Sequence, residues 1–299
     1  MGADIDLKHF RFFLAVADEG TFTGAAQRLG MTQPALSRAI QALEDTVGTA
    51  LFIRGPQGAE LTEAGRMLSH DARGLVEFAD AALTRVTRFG KEGPRLQVTA
   101  RGCDVDVVHS LVASYNERHP HAPSAHAAMV DWRVQADQVR AGDTEATLLR
   151  APFDRRGLDS DLVRIDPRVA LLPETHALAG REVIHRSELA DEAFPVWPDL
   201  TPAETAFWTG TDLVHYAWRP GPVVHDGMQF VGSIRLGQAI GFIAGAHLPE
   251  QLPIGIRAVP VIGLTHSELH IAWATTETSP DVARFVRHAT EQTMEAMEA

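Results

Sequence analysis

The first third of the chain carries apolar residues at helical spacing. The remainder breaks into short apolar runs and amphipathic stretches divided by glycine and proline. Phe10, Phe13, Leu14 and Ala17 keep the i, i+3, i+4, i+7 spacing of one buried face, which predicts a helix over Leu7 to Asp18. A second helix is expected to start near Thr23, a residue suited to the N-cap, to run through Ala25, Ala26 and Leu29, and to stop at Gly30. A third takes Thr32 as its expected N-cap and Pro34 in its first turn, where a missing N–H costs little. Leu36, Ile40, Leu43 and Val47 form its core stripe, and Gly48 stops it. An extended, partly apolar segment then leads to Arg54.

A longer helix follows over Glu63 to Phe89, with Thr62 as its cap. In it Leu68, Ala72, Leu75, Ala79, Ala82, Val86 and Phe89 repeat with alternating spacings of four and three, the period of a coiled-coil seam. A helix packed only on its own domain usually shows a wider stripe, so the pattern favours self-association through these residues. The alternative is a seam docked on the C-terminal half. Gly74 weakens the helix by about 1 kcal/mol relative to Ala, so a partner would supply part of its stability. Phe89-Gly90-Lys91-Glu92-Gly93-Pro94 reads as a hinge.

Beyond the hinge, Leu96 to Ala100 reads as a buried strand. A helical pattern through Val107, Leu111, Val112 and Tyr115 ends at Arg118-His119-Pro120. Then come a strand at Ala127 to Val130, a helix at Arg133 to Ala141 and a strand at Ala146 to Leu149. This β-α-β-α-β alternation predicts an open α/β sheet. Val163 to Ile165 and Arg168 to Leu172 add strands. Phe194 to Trp197, Val223-Val224 and a helix near Gln229 to Gln238 suggest a second α/β unit, with Ile240 to Ala244 a further strand. Ser267 to Ala274 reads as a strand returning to the first lobe, and Pro280 to Met297 as a closing helix. The expected fold class is α/β: an all-α winged helix-turn-helix with a long linker helix, then a two-lobed α/β domain. The expected boundaries are 1–61, 62–90 and 91–299.

Composition narrows the class. A length of 299 residues gives room for two or three domains, and 45% hydrophobic with 22% charged residues is ordinary for a globular protein. No run of about 18 apolar residues predicts a membrane span. Asp4 and Asp6 without an apolar stretch argue against a secretory signal, so a cytoplasmic location is expected. The single cysteine, Cys103, excludes an intramolecular disulfide and a cysteine-based zinc site. Charge works against a nucleic-acid partner overall. Residues 1–90 hold 9 Lys and Arg against 11 Asp and Glu, and the whole chain carries a formal charge of -12. DNA binding would rest on where a few cations sit: Arg28, Arg38 and Arg54 inside the helical motif, with Glu44 and Asp45 expected on an outer face.

The candidate chemistry of the N-terminal part follows from its stripe. With Leu36, Ile40 and Leu43 inward, Gln33, Pro34, Ser37, Arg38 and Gln41 project outward near the start of the third helix. In a helix-turn-helix that end reaches base edges in the major groove. Arg suits guanine, Gln suits adenine, and Pro can touch a thymine methyl. Thr32, Ser37 and free N–H groups at the helix start suit phosphate, and Thr23 and Arg54 complete the candidate set. The structural alternative is a three-helix unit with a merely polar face. The specific residues decide between the two. Thr32-Gln33-Pro34-Ala35-Leu36-Ser37-Arg38-Ala39-Ile40-Gln41-Ala42-Leu43-Glu44 resembles the SQPALSRxIxxLE pattern of LysR-type transcriptional regulators, with Thr32 in place of the usual Ser. Ala25-Ala26-Gln27-Arg28-Leu29, Leu51-Phe52-Ile53-Arg54 and Leu61-Thr62-Glu63-Ala64-Gly65 match further motifs of that family at the right spacings. The resemblance implies that Gln33, Pro34, Ser37 and Arg38 enter the major groove and that Arg54 sits on the wing. It also implies that the linker helix pairs two copies into a homodimer or homotetramer on an interrupted inverted repeat of double-stranded DNA, with RNA polymerase as a further partner. The segment Gly55 to Glu60 is poorer in cations than a basic wing.

For the C-terminal part the resemblance implies a periplasmic-binding-protein-like effector domain. Gly237 to Pro249 is similar to that family's GxGIAxLP strand. Ligands in such sheets bind at strand carboxyl ends beside helix N-termini. The strand ends give Thr99, Ala100, Arg101, Gly102, Cys103, Asp131, Trp132 and Arg150 from one lobe, and Trp197, Thr201, His225 and Phe242 from the other. Arg101 and Arg150 would suit an anionic small-molecule effector, and Trp132 and Trp197 could stack on an aromatic one. Against these stand plainer roles, such as Arg150 pairing with Asp131 or Asp154, or Trp197 packing in a core. Cys103 lies near a helix start, but a disulfide switch within the chain needs a second thiol. His119, His121 and His126 lack ligand spacing, so no metal or other cofactor is expected. No GxSxG, HExxH or P-loop is present, so no enzyme is expected. The competing functions are a solute-binding or enzymatic α/β protein with an incidental helical N-terminus, and a DNA-binding regulator with a degenerate sensor.

Overall fold

The computed structural model describes residues 5–55, 58–249 and 251–298, with side chains described up to residue 292. The chain divides chiefly at Gly93–Pro94 into two compact units.

The N-terminal unit begins with α1 (Leu7–Glu19), whose cap Asp6 accepts from the backbone N–H groups of Lys8 and His9. The cap of helix α2 (Phe22–Arg28) lies two residues before the expected one. Thr21, extended at φ -144°, accepts from Gly24 N at 3.1 Å and takes the N-cap, which leaves Thr23 inside the first turn. Helix α3 (Gln33–Val47) starts after Thr32, which occupies the cap position without a side-chain bond, and ends at Gly48 in the left-handed region. Its stripe is Leu36, Ile40 and Leu43, all essentially inaccessible. Val47, expected in that stripe, is 45% exposed because the last turn runs past the core. Glu44 is buried in its stead. Strands β1 (Phe52–Gly55) and β2 (Gly58–Leu61) pair antiparallel as the wing. Pro56 and Gln57, in the segment expected to be the wing tip, lie outside the described residues. Gly58 is needed where it stands: Ala59 N donates to Gly20 O at 2.7 Å, and a Cβ on Gly58 would lie 2.3 Å from that oxygen.

Helix α4 (Glu63–Glu92) is capped by Thr62, whose hydroxyl accepts from Gly65 N at 2.9 Å. The hinge expected from Phe89 onward is still helical to Glu92. One glycine, Gly90, costs less than the surrounding turns gain. The helix ends only at Gly93 (φ 74°), before Pro94, which disfavours helical geometry in the residue ahead of it.

The C-terminal unit has two lobes. The first starts with β3 (Arg95–Ala100), α5 (Val105–Arg118), β4 (Ser124–Met129), α6 (Gln135–Arg140), β5 (Ala146–Arg150) and β6 (Leu158–Asp166). The chain crosses at Pro167 into the second lobe: β7 (Arg168–Pro173), β8 (Ile184–His185), β9 (Ala193–Val196), α7 (Pro202–Thr209), β10 (Arg219–Val223), α8 (Gly227–Arg235), β11 (Gly241–Ala244) and β12 (Ile256–Ile262). It returns as β13 (Ser267–Ala274) and α9 (Pro280–Glu298). The first-lobe sheet has the order β4-β3-β5-β13-β6, with β13 antiparallel to both neighbours. The second-lobe sheet runs β11-β7-β12-β8, beside a parallel β9–β10 pair. Leu96, Val98, Leu111, Tyr115, Leu269 and Phe285 belong to the first-lobe core; Ala170, Leu172, Phe194, Phe242 and Val259 belong to the second. Strand β12 and helix α7 had no counterpart in the sequence pattern. Pro260 interrupts the alternation of β12, and α7 is held by a capping box rather than by a long stripe.

Candidate nucleic-acid interface and ligand cleft

The outward face of α3 is polar and accessible. Thr32, Gln33, Pro34, Arg38 and Gln41 are exposed, as is Thr23 on α2, and Ser37 is half-buried. Several of these side chains have partners within the fold. Gln41 donates to Asp45 at 3.0 Å, and Arg38 Nε donates to Pro34 O at 3.3 Å. Among the described residues Arg38 forms no ion pair, so its charge faces outward uncompensated. Arg28 pairs with Asp18 and Glu19 at 3.5 and 3.3 Å, which cancels the cation expected there.

Glu44 corrects the expectation of an acid on the outer face. Its Oε1 accepts from Leu51 N at 2.7 Å and Phe52 N at 3.1 Å, tying α3 to the chain entering the wing. Its Oε2 faces Arg54 at 3.5 Å. Arg54 is held on three sides: it also donates to Ser37 Oγ at 3.1 Å and lies over the Phe22 ring, 4.5 Å from its centroid. The wing cation is thus positioned by α3 and α2.

Along α4 the expected seam divides. Ala72 is buried and Leu68 half-buried, and both pack into the core of the N-terminal unit, so they are not free for a partner. Leu75, Val86 and Phe89 are exposed and Ala79 and Ala82 half-buried. Phe78, outside the four-three register of the expected seam, is exposed as well. Leu75, Phe78, Ala82, Val86 and Phe89 follow helical spacing and make one apolar stripe on a 30-residue helix.

In the C-terminal unit the strand ends meet between the lobes, but not all the expected residues line that cleft. Thr99 is buried and shares a 2.9 Å hydrogen bond with Thr147, while Ala100 and Phe242 are core residues of their lobes. Thr201 caps α7 in a reciprocal box with Glu204, and His225 is an exposed residue whose backbone N–H donates to Gln229. Trp132 and Trp197 do face one another across the lobes, edge to face, with centroids 6.5 Å apart. Trp197 also packs on Phe230 at 5.9 Å. Asp131 pairs with Arg133 at 2.6 Å, and that guanidinium pulls its carboxyl down to about 2.

Arg150 pairs with neither Asp131 nor Asp154. Its buried guanidinium donates to Asp104 (Nη2 2.7 Å, Nε 3.0 Å), to Asp166 at 2.8 Å and to Ser267 Oγ at 3.1 Å. Asp104 is the hub. Arg101 Nε reaches it at 2.9 Å, and His247 Nε2, from the second lobe, reaches it at 2.9 Å. Burial pushes the Asp104 carboxyl up, but His247, Arg101 and Arg150 outweigh it and hold the group well below the carboxylate range. Burial pushes His247 down, against the pull of Asp104. The neutral imidazole therefore carries its proton on Nε2 and donates to Asp104. Neither Asp104 nor His247 was among the expected site residues. Asp104 lies four residues past the end of β3, just beyond the candidate set that stops at Cys103, and His247 lies on a turn whose contact with Asp104 spans the two lobes.

Gly102 and Cys103 are exposed at the same strand end. Loss of water pushes the Cys103 thiol up, so it does not approach the thiolate that redox chemistry needs. Cys103, Asp104 and His247 bring a sulfur, an oxygen and a nitrogen within 4.8 Å of one another. Two guanidiniums on the same carboxylate make that spot unfavourable for a cation.

A helix-turn-helix with an exposed arginine that forms no ion pair among the described residues, linked to a two-lobed α/β domain with a cleft at its strand ends, defines a DNA-binding protein with a ligand-sensing domain. The chain belongs to the LysR family and is a LysR-type transcriptional regulator. The family model for the bacterial regulatory helix-turn-helix protein, lysR family, matches residues 7–66, and that for the LysR substrate binding domain matches residues 91–294. The chain is 31% identical to the HTH-type transcriptional regulator IlvR of Caulobacter vibrioides over 96% of this chain and 98% of that one. It is 27% identical to the regulator AlsR of Bacillus subtilis over 94% of each. Its fold is similar to that of CbnR complexed with its target DNA (TM-score 0.55, 21% identity, 97% of this chain and 100% of that chain) and of full-length BenM (TM-score 0.55, 20% identity, 98% of each).

Proposed function

We propose that the chain acts as a cytoplasmic homodimer, or a dimer of dimers, that reads a two-fold related site on double-stranded DNA and performs no catalysis. Two α3 helices would enter successive major grooves through Gln33, Pro34, Ser37, Arg38 and Gln41. Thr23, Thr32 and Arg54 would meet phosphate or the adjoining minor groove. The observation that carries this reading is Arg38: exposed on the groove-facing side of α3, and without an ion pair among the described residues. CbnR, whose fold this chain shares, is complexed with its target DNA, which supports the same use here. The stripe Leu75, Phe78, Ala82, Val86 and Phe89 would pair α4 with its copy, since apolar side chains of this size on one face call for a partner.

The cleft favours an aromatic or uncharged effector over a simple anion. Trp132 and Trp197 offer ring faces and edges from both lobes, while Arg150 is engaged by Asp104 and Asp166. Arg101, half-buried and 5.8 Å from the Trp208 ring centroid, is the one cation of the cluster that an effector can approach. An effector that separates or clamps the tryptophans changes the angle between lobes, and so the relation of paired DNA-binding units.

A binding titration on the DNA upstream of its own gene, at two salt concentrations, tests the reading. Wild type is expected to bind in a salt-dependent way and Arg38→Ala to lose about 1–3 kcal/mol. A variant that binds with wild-type affinity at every DNA site recovered from a genome-wide survey would remove Arg38 from the contact set.

A further inference from the structure

Asp104 stands at the N-cap of α5, where an aspartate ordinarily accepts from the first backbone N–H groups of its own helix. It does not do so: it forms no side-chain cap bond. Its carboxylate turns instead into the junction of the lobes and is completely buried there. Four N–H donors converge on it: two from Arg150, one from Arg101 and one from His247. The first two residues belong to the first lobe and the third to the second. This is the place in an open α/β sheet, at strand ends and a helix start, where an anionic ligand is held.

We propose that Asp104 is a built-in ligand: its carboxylate fills an anion site made by Arg101 and Arg150 of one lobe and His247 of the other, and a small free carboxylate takes that site when the side chain is removed. The proposal rests on reading the cleft as the effector site and deepens it. An effector of this protein need not bring an anion to the floor of the cleft, because the chain supplies one, and Asp104 joins the lobes there through His247 without any ligand.

The balance of charge supports the idea. Arg150 keeps Asp166 as a second partner, and Arg164 shares Asp166. Without Asp104 the Arg101 guanidinium, two N–H groups of Arg150 and the His247 N–H would face a vacated, water-poor space carrying uncompensated positive charge. A buried charge without its partner is costly, and an anion that enters relieves that cost.

The test is thermal unfolding of the full-length protein by tryptophan fluorescence, with sodium formate compared against sodium chloride at equal ionic strength and neutral pH. Asp104→Ala is expected to melt below wild type in chloride, and formate is expected to raise its midpoint saturably by about 5 °C. Wild type and Asp104→Asn, whose pockets are filled, should show no such excess. Adding His247→Leu to the Ala background should weaken formate about tenfold, the loss of one hydrogen bond to a charged group. Equal midpoints for Asp104→Ala in formate and chloride would overturn the proposal, as would an equal gain in wild type. If Asp104→Ala fails to fold in chloride, recovery of folded protein on refolding in formate supports the site, and recovery in neither salt overturns it. These readouts contain no DNA, so their failure leaves the regulator reading intact, and failure of the DNA titration leaves the anion site standing.

Discussion

Glu44→Ala tests how α3 is held to the wing. The carboxylate is 8% exposed and accepts two backbone N–H groups, from Leu51 and Phe52, which are 0% and 5% exposed. Truncation leaves two buried donors without an acceptor, each costing about 1–2 kcal/mol. The contact with Arg54 adds little, because that guanidinium is 43% exposed and water screens the pair. The expected loss is therefore about 2–4 kcal/mol. Glu44→Gln, which keeps one acceptor oxygen, should cost about 1 kcal/mol. Fluorescence cannot follow this event, since every tryptophan lies at position 132 or beyond. Amide hydrogen exchange can. A loss of about 3 kcal/mol appears as roughly a hundredfold fall in protection at the Leu51 and Phe52 amides. Protection at the wild-type level in Glu44→Ala, with an unchanged helical melt by circular dichroism, would refute the argument.

Other positions make equally definite demands. Gly65→Ala places a Cβ 2.2 Å from Leu51 O and 2.9 Å from Leu61 Cδ2, so the N-terminal unit should lose about 3 kcal/mol or more; a melt indistinguishable from wild type would contradict this. Phe78→Glu and Val86→Glu, at residues 43% and 71% exposed, should leave the fold intact and shift sedimentation toward monomer; an unchanged oligomer would remove this stripe from the interface. Stability of the C-terminal unit should fall with pH once below the ordinary histidine value of 6.5. The folded pKa of His247 is lowered, so the unfolded chain binds the extra proton first, and the contribution present above that value is lost as pH falls toward the folded one. His247→Gln, which keeps a donor to Asp104 without titrating, should flatten the slope of midpoint against pH between 5 and about 7 by up to 1.4 kcal/mol per pH unit; an unaltered slope would place the titration elsewhere.

Local chemistry made most of the architecture readable. The three short helices, the Thr62 cap and the returning strand Ser267–Ala274 each follow from period, cap residue and breaker within a few positions. The misplacements are of a different kind. Two threonines lie two residues apart, and only the reach of Gly24 N to Thr21 selects the cap. Glu44 lies on the flank of the Leu36–Ile40–Leu43 stripe, and its acidity disguised a buried acceptor whose partners come after Gly48. In α4, an alternating spacing of four and three could not separate Leu68 and Ala72, which pack on their own unit, from Leu75, Val86 and Phe89. At the cleft, strand ends were readable, but the pairings Trp132–Trp197 and Asp104–His247 join residues brought together only when the lobes form.

The crossing at Pro167 bears on the order in which the chain assembles during synthesis. Everything the second lobe needs, from β7 to β12, is one continuous stretch. The first lobe is interrupted by it: β13 fills the place between β5 and β6, and α9 supplies Val282, Phe285, Val286 and Ala289 to its core. A ribosome therefore releases a DNA-reading head and a complete second lobe while the first lobe still has a vacant slot at the centre of its sheet, with β5 and β6 lacking their common neighbour. Chaperone dependence, premature termination and sites tolerant of fusion should all follow that interruption. A chain truncated before Ser267 and released from the ribosome should protect the second lobe from protease and leave the first open to it.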